Sequence, residues 1–156
     1  MQLRNENTPA IIKASFVYNF AKLVGWPDKK SDGNFRIGIL GDADLYKQII
    51  EKYSGKQIGN QVIEIVQLLS PEQMPELHIL FISRKAAEMT APISSKLNKE
   101  HTMIITEDEK GLSNGATLNF VVVDNQQKFE ISETNAASQE LTIGMTLKSL
   151  AHKLVK

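Results

Sequence analysis

The sequence predicts an α/β domain: a mixed, mostly parallel sheet flanked by helices in three layers, with a C-terminal antiparallel hairpin at its edge. Three observations lead there. Short apolar, β-branched runs alternate with helical patterns between residues 35 and 106. The run Leu77-His78-Ile79-Leu80-Phe81-Ile82 is almost continuously apolar, as a central strand covered on both faces must be. Beyond residue 116 the alternation stops, and two strand-like runs flank the turn residues Asp124-Asn125-Gln126.

The elements follow in chain order. Residues 12–24 read as an amphipathic helix, with Ile12, Phe16, Phe20, Leu23 and Val24 on its inner face and Tyr18 and Trp26 at the rim. Thr8 and Pro9 suit its start, and Pro27 forbids its continuation. Asp28 to Asn34 is a polar turn. Phe35 to Leu40 reads as a strand ended by Gly41-Asp42. Asp42 or Asp44 then caps a helix over about residues 44–53, with Leu45, Ile49 and Ile50 inward. Val62 to Val66 is the second strand, Ser70 to Gln73 a short helical turn, and Leu77 to Ile82 the third strand. Lys85 to Lys99 reads as a second long helix in which Pro92 marks a kink or a new start. Thr102 to Thr106 is the fourth strand. Residues 116–123 and 128–131 form the hairpin, and Ile143, Leu147, Leu150 and Leu154 place one stripe on a closing helix. No repeat or long linker divides the chain, so residues 1–156 are expected to form one domain with its core at about 9–155.

Composition bounds the function. The 156 residues are 42% hydrophobic and 23% charged, ordinary values for a globular protein. Eighteen basic residues balance eighteen acidic ones without a local Lys/Arg cluster, which argues against nucleic-acid binding. With no cysteine, disulfides, thiolate metal sites and cysteine nucleophiles are excluded. No apolar run approaches the ~20 residues that span a bilayer. The first eight residues lack the apolar core of a signal peptide, which suits a cytosolic protein and equally a mature exported one.

The candidate sites sit at strand ends. Asp42 and Asp44 follow the first strand, Ser83 and Arg84 the third, and Thr106 the fourth. In a parallel sheet these ends share one rim, where open α/β sheets hold ligands. The five residues are the candidate ligand-binding set for a small polar molecule, with helix capping as the plain alternative. Gly38 to Asp44 is neither the dinucleotide fingerprint nor a phosphate loop. A phosphoreceiver is rejected, because no lone aspartate ends the third strand and the expected lysine is missing. His78, His101 and His152 share no metal-ligand spacing, and His78 reads as a satisfied core residue. No serine lies in a nucleophile elbow. No catalytic residue, cofactor or metal is assigned. Asn119, inside an apolar strand, is a buried polar group that needs a partner. Tyr18, Trp26 and Leu150 are the candidate partner-binding residues, as aromatic and large apolar groups at a rim.

The wording of several segments resembles the YfiR-like family of exported bacterial proteins across nearly the whole chain. In family order these are Ile12-Lys13-Ala14 through Tyr18-Asn19-Phe20-Ala21-Lys22 to Trp26-Pro27, then Phe35 to Asp42 and His78 to Ser83. Leu118-Asn119-Phe120-Val121, Phe129-Glu130-Ile131, Asn135-Ala136-Ala137 and Leu141 to Leu150 complete the series. The resemblance implies a Rossmann-like α/β domain and a periplasmic, non-enzymatic regulator. Such a protein holds a membrane-anchored diguanylate cyclase inactive, limits cyclic-di-GMP and biofilm formation, and tends to dimerise. Members of this kind carry cysteines whose disulfides tune a redox response. This chain has none, so that switch is absent.

Overall fold

A computed structural model describes residues 8–156. Its elements in chain order are α1 (Thr8–Leu23), β1 (Val24–Gly25), β2 (Phe35–Leu40), α2 (Ala43–Tyr53), β3 (Gln57–Ile58), β4 (Gln61–Leu68), β5 (Ile79–Ile82), α3 (Thr90–Lys96) and β6 (Met103–Thr106). The hairpin β7 (Leu118–Val123) and β8 (Gln126–Ser132) follows, then α4 (Glu133–Ser138), β9 (Thr142–Ile143), α5 (Met145–Leu150) and β10 (Lys153–Val155). Eight strands form one mixed sheet in the order β10-β8-β7-β6-β5-β2-β4-β3, and β1 pairs with β9 in a separate antiparallel ribbon. The five strands from β4 to β7 run parallel, while β8 turns back against β7. The expected mixed α/β sheet is what the chain builds.

Alternation along the strands separates two cores. Phe35, Ile37, Ile39, Ile79, Phe81 and Ile105 face α1, α2, α4 and α5. Leu40, Leu80, Ile82 and Ile104 face the opposite layer, covered by α3 and the 3-10 turn Arg84–Met89. β5 lies between β2 and β6, and all four of its residues are buried, which accounts for its unbroken apolar run. The hairpin closes through Asp124 and Asn125, both with positive φ (52° and 63°), the geometry of a two-residue turn that matches strand twist.

Three elements differ from the sequence reading. In α1 the buried row is Ala14, Val17, Phe20 and Ala21, continued by Val24 in β1, whereas Ile12 is 40% exposed. Apolar residues surround most of this helix, so small side chains decide which row lies closest to the sheet. The structure describes nothing of the Thr8 side chain, so the expected cap lies outside the described residues. The second long helix is shorter and split: a 3-10 turn from Arg84 to Met89, then α3 ending at Lys96. Pro92 falls in the first turn of α3, where its missing N–H costs nothing. The closing stripe is not one helix. Ile143 pairs with Val24, Leu147 is buried in α5, and Leu154 lies in β10 opposite Ile131. Gly144 and Ala151 are both extended and stop α5 at each end, so backbone pairing prevails over helical spacing.

The amino ends of the strands are locked by one polar cluster. Trp26 Nε1 donates to the His78 carbonyl (3.2 Å), and its ring stands edge-on to Phe35 at 5.0 Å. His78 Nδ1 accepts the Arg36 N–H (3.3 Å), so Nε2 carries the proton and donates to the Lys30 carbonyl (2.7 Å). The buried Lys30 ammonium reaches the Leu77 carbonyl (2.8 Å) and Glu76 (3.2 Å). Burial, the largest influence, holds the His78 pKa below its ordinary value, and the Lys30 and Arg36 charges push the same way. Against them act the hydrogen bond to the Lys30 carbonyl and the Glu76 charge. A depressed folded-state pKa means that the unfolded chain binds the proton more readily. Stability is therefore full above about pH 6.5 and falls as pH drops below it. Urea unfolding between pH 7.5 and 5 is expected to show this decline, with a flatter profile in His78→Gln.

Candidate functional site

The carboxyl ends of β2, β5 and β6 meet at one rim, beside a cleft of about 1230 Å³. β2 ends in Gly41, whose φ of +86° is a conformation that disfavours a side chain. The turn places Asp42 in extended geometry, where its Oδ1 accepts the Leu45 N–H at 2.9 Å and caps α2. Ser83 follows β5 and donates its N–H to the Leu40 carbonyl at 3.0 Å. A Cβ at Gly41 would lie 2.3 Å from Ser83 Oγ, so glycine also makes room for that hydroxyl. The strand order across β4-β2-β5-β6 reverses direction between β2 and β5, the crevice where open sheets take ligands.

A clasp closes the middle of the rim. Glu107, just past β6, accepts the Lys13 ammonium of α1 on Oε1 (2.5 Å) and the Arg84 N–H on Oε2 (2.9 Å). The Arg84 guanidinium donates to the Glu107 carbonyl. Both partners of the Lys13–Glu107 pair are largely shielded from solvent, with side chains 17% and 13% exposed. Loss of either partner would leave the other charge part-buried and uncompensated. Thr106 is buried and donates its hydroxyl to Asn119 Oδ1 (2.7 Å), which supplies the partner that Asn119 needs. Gly111 abuts this bond, since a Cβ there would overlap Thr106 Oγ1. Two buried oxygens of the cleft wall, Ser83 Oγ and Asp108 Oδ1, have no hydrogen-bond partner.

Of the five rim candidates, Asp42, Asp44, Ser83 and Arg84 line the cleft, and Thr106 stands behind it, holding Asn119. Sequence reasoning missed Lys13, the anchor of the clasp. Its signal was a lone cation on a helix face otherwise sparse in charge. Glu107 and Asp108 follow Thr106 at the same strand end, so their place on the rim was legible, but their bonds were not. The three partner candidates are taken up by different elements. Tyr18 stacks on Tyr53 of α2 at 4.4 Å with the Lys22 ammonium 4.6 Å from its ring, and Trp26 belongs to the amino-end cluster. Leu150 is 62% exposed at the end of α5, near the exposed Met145 and Leu154 in sequence. Among the described residues, no three His, Cys, Asp or Glu side chains group to hold a metal ion. Among them, too, no helix is long and apolar enough to cross a membrane.

Comparison with known proteins places this geometry in context. A sequence profile of the family described as YfiR/HmsC-like matches residues 10–152. No curated protein sequence matches the chain significantly. Among solved structures, one from Streptococcus pneumonia, described as an ABC domain in complex with L-Trp, aligns with a TM-score of 0.60 at 12% identity. A conserved domain protein from Vibrio cholerae O1 biovar El Tor aligns at 0.63 and 10% identity. Each alignment covers 94% of this chain and 60% of the other, so this chain spans less than two thirds of either neighbour. At such identities the likeness is one of fold.

Proposed function

Because this chain belongs to the YfiR/HmsC-like family, which is regulatory and periplasmic, we propose that it is an exported, non-catalytic regulator docking on the extracytoplasmic part of a membrane-anchored diguanylate cyclase. The observation that carries this reading is the family match across residues 10–152. In that role the protein limits cyclic-di-GMP synthesis, and biofilm formation with it, as a monomer or as a homodimer. It does so without disulfides, since the chain has no cysteine. Exposed Met145, Leu150 and Leu154 supply apolar area suited to contact with a partner. Tyr18 and Trp26 contribute to docking through the exposed parts of their rings. The test is capture of membrane proteins from the native host on the purified chain, with cyclic-di-GMP measured after gene deletion. Recovery of a cyclase and a rise in cyclic-di-GMP support the reading; a deletion that leaves the nucleotide level unchanged, with no cyclase recovered, ends it.

A second reading, a small-ligand site at the rim, is favoured by one specific observation: two unpartnered buried oxygens, Ser83 Oγ and Asp108 Oδ1, in the wall of the same cleft. Asp42, Asp44 and Arg84 line it, with Thr106 orienting Asn119. The readings are compatible, with ligand occupancy tuning the docking surface through the Lys13–Glu107 clasp.

A further inference from the structure

The chemistry of this cleft selects among ligand classes. Six acids line it, Asp42, Asp44, Glu107, Asp108, Glu109 and Glu130, against the three cations Lys13, Arg84 and Lys85. Two of the cations are already engaged, since Lys13 and Arg84 both bond Glu107. The amino terminus of α2, which would otherwise attract an anion, is capped by Asp42. An anionic ligand therefore meets a surplus of negative charge, which a cation would relieve.

The second observation is independent of that charge. Ser83 is only 3% exposed, sits at the β2/β5 crossover, and leaves its hydroxyl without a partner. Asp108 Oδ1 is likewise buried and unpartnered, although its Oδ2 accepts the Lys110 N–H at 3.4 Å. A buried acceptor without a donor costs free energy that a ligand's N–H recovers. A carboxylate oxygen can only accept, and a serine oxygen accepts as well as donates. A protonated amine offers up to three donors and a positive charge, which satisfies both oxygens and the charge surplus together.

We infer that the carboxyl-end cleft binds a small organic amine, with an ammonium group on Asp108 Oδ1 and Ser83 Oγ and the outer acids Asp42, Asp44 and Glu109 receiving further positive charge. A chain with two or more ammonium groups fits such a row of acids better than a single one. This inference rests on the rim holding a ligand at all, and the experiment separates the two claims.

Titration calorimetry and thermal shift on the full chain, at low ionic strength, would compare putrescine and spermidine with succinate, ribose and magnesium chloride. The expected result is saturable one-site binding of the amines, tighter for spermidine. Asp108→Asn and Ser83→Ala should each weaken it, the former roughly tenfold as a charge-assisted hydrogen bond is lost. If Asp108→Asn fails to fold, Asp44→Asn at an exposed helix position serves instead and should also weaken binding. Saturable binding of succinate or ribose without the amines overturns the amine class and leaves the ligand site standing. No binding by any probe overturns both. An amine effect matched by magnesium and unchanged in Asp108→Asn and Ser83→Ala is counterion attraction alone, and also overturns the inference.

Discussion

Phe20→Ala is expected to lower the unfolding free energy by about 3–5 kcal/mol, the range for truncating a buried aromatic. Phe20 is 1% exposed and lies 4.9 Å from Phe129 edge-to-face and 5.9 Å from both Phe120 and Phe16. These rings join α1 to the two hairpin strands, so the loss includes aromatic contacts as well as transfer and cavity costs. In a domain of this size each kcal/mol moves the melting temperature by roughly 2–4 °C, which predicts a fall on the order of 10 °C. Ile12→Ala, about two turns nearer the start of the helix and on its open side, should stay within about 0.5 kcal/mol. Calorimetric melting of both variants checks the pair. Equal effects would mean that α1 does not sit on the sheet as described.

Asn135→Ala is expected to cost about 2–3 kcal/mol, more than its half-buried position suggests. The Asn135 amide donates to the Leu112 carbonyl (2.8 Å) and the Ala116 carbonyl (2.7 Å), while its backbone N–H is capped by Ser132 Oγ (3.1 Å). Residues 107–117 contain no strand or regular helix, and this one side chain ties their far end to α4. Truncation leaves the buried Ala116 carbonyl without that donor and removes a second bond at Leu112. Asn135→Asp should be worse, since it turns acceptors towards two carbonyls. Urea unfolding measures the loss, and faster amide exchange at Asn114 to Ala116 locates it. The same loop carries Glu107 and Asp108, so loosening it should also weaken any ligand held at the cleft.

Much of the fold was legible because local and global preferences agree in the sheet. The runs Phe35–Leu40 and Ile79–Ile82 can bury both faces only as inner strands, and Asp42 announces the helix after the first. The rim followed from those strands, since parallel order brings their ends together. What stayed hidden depends on partners distant in sequence. The Lys13–Glu107 bond joins residues 94 apart, and nothing near either residue marks it. α1 misled for a different reason. With apolar groups on nearly every side, its spacing could not reveal that Ala14 and Ala21, rather than Ile12, meet the strands. The closing segment misled because the spacing of Leu147, Leu150 and Leu154 suits a helix, while Gly144, Ala151 and an open strand edge favour pairing.

That edge pairing bears on handling the protein. β10 contributes only Lys153 to Val155, yet with the His152 N–H on the Phe129 carbonyl it occupies the outer margin of β8 from residue 129 to 132. The rim it presents in turn is three residues long and carries lysine, a poor template for further growth. Proteolytic trimming before His152 would bare a seven-residue strand whose free amides and carbonyls invite stacking of molecule on molecule, so turbidity in a nicked preparation would report a lost guard and not a failed core.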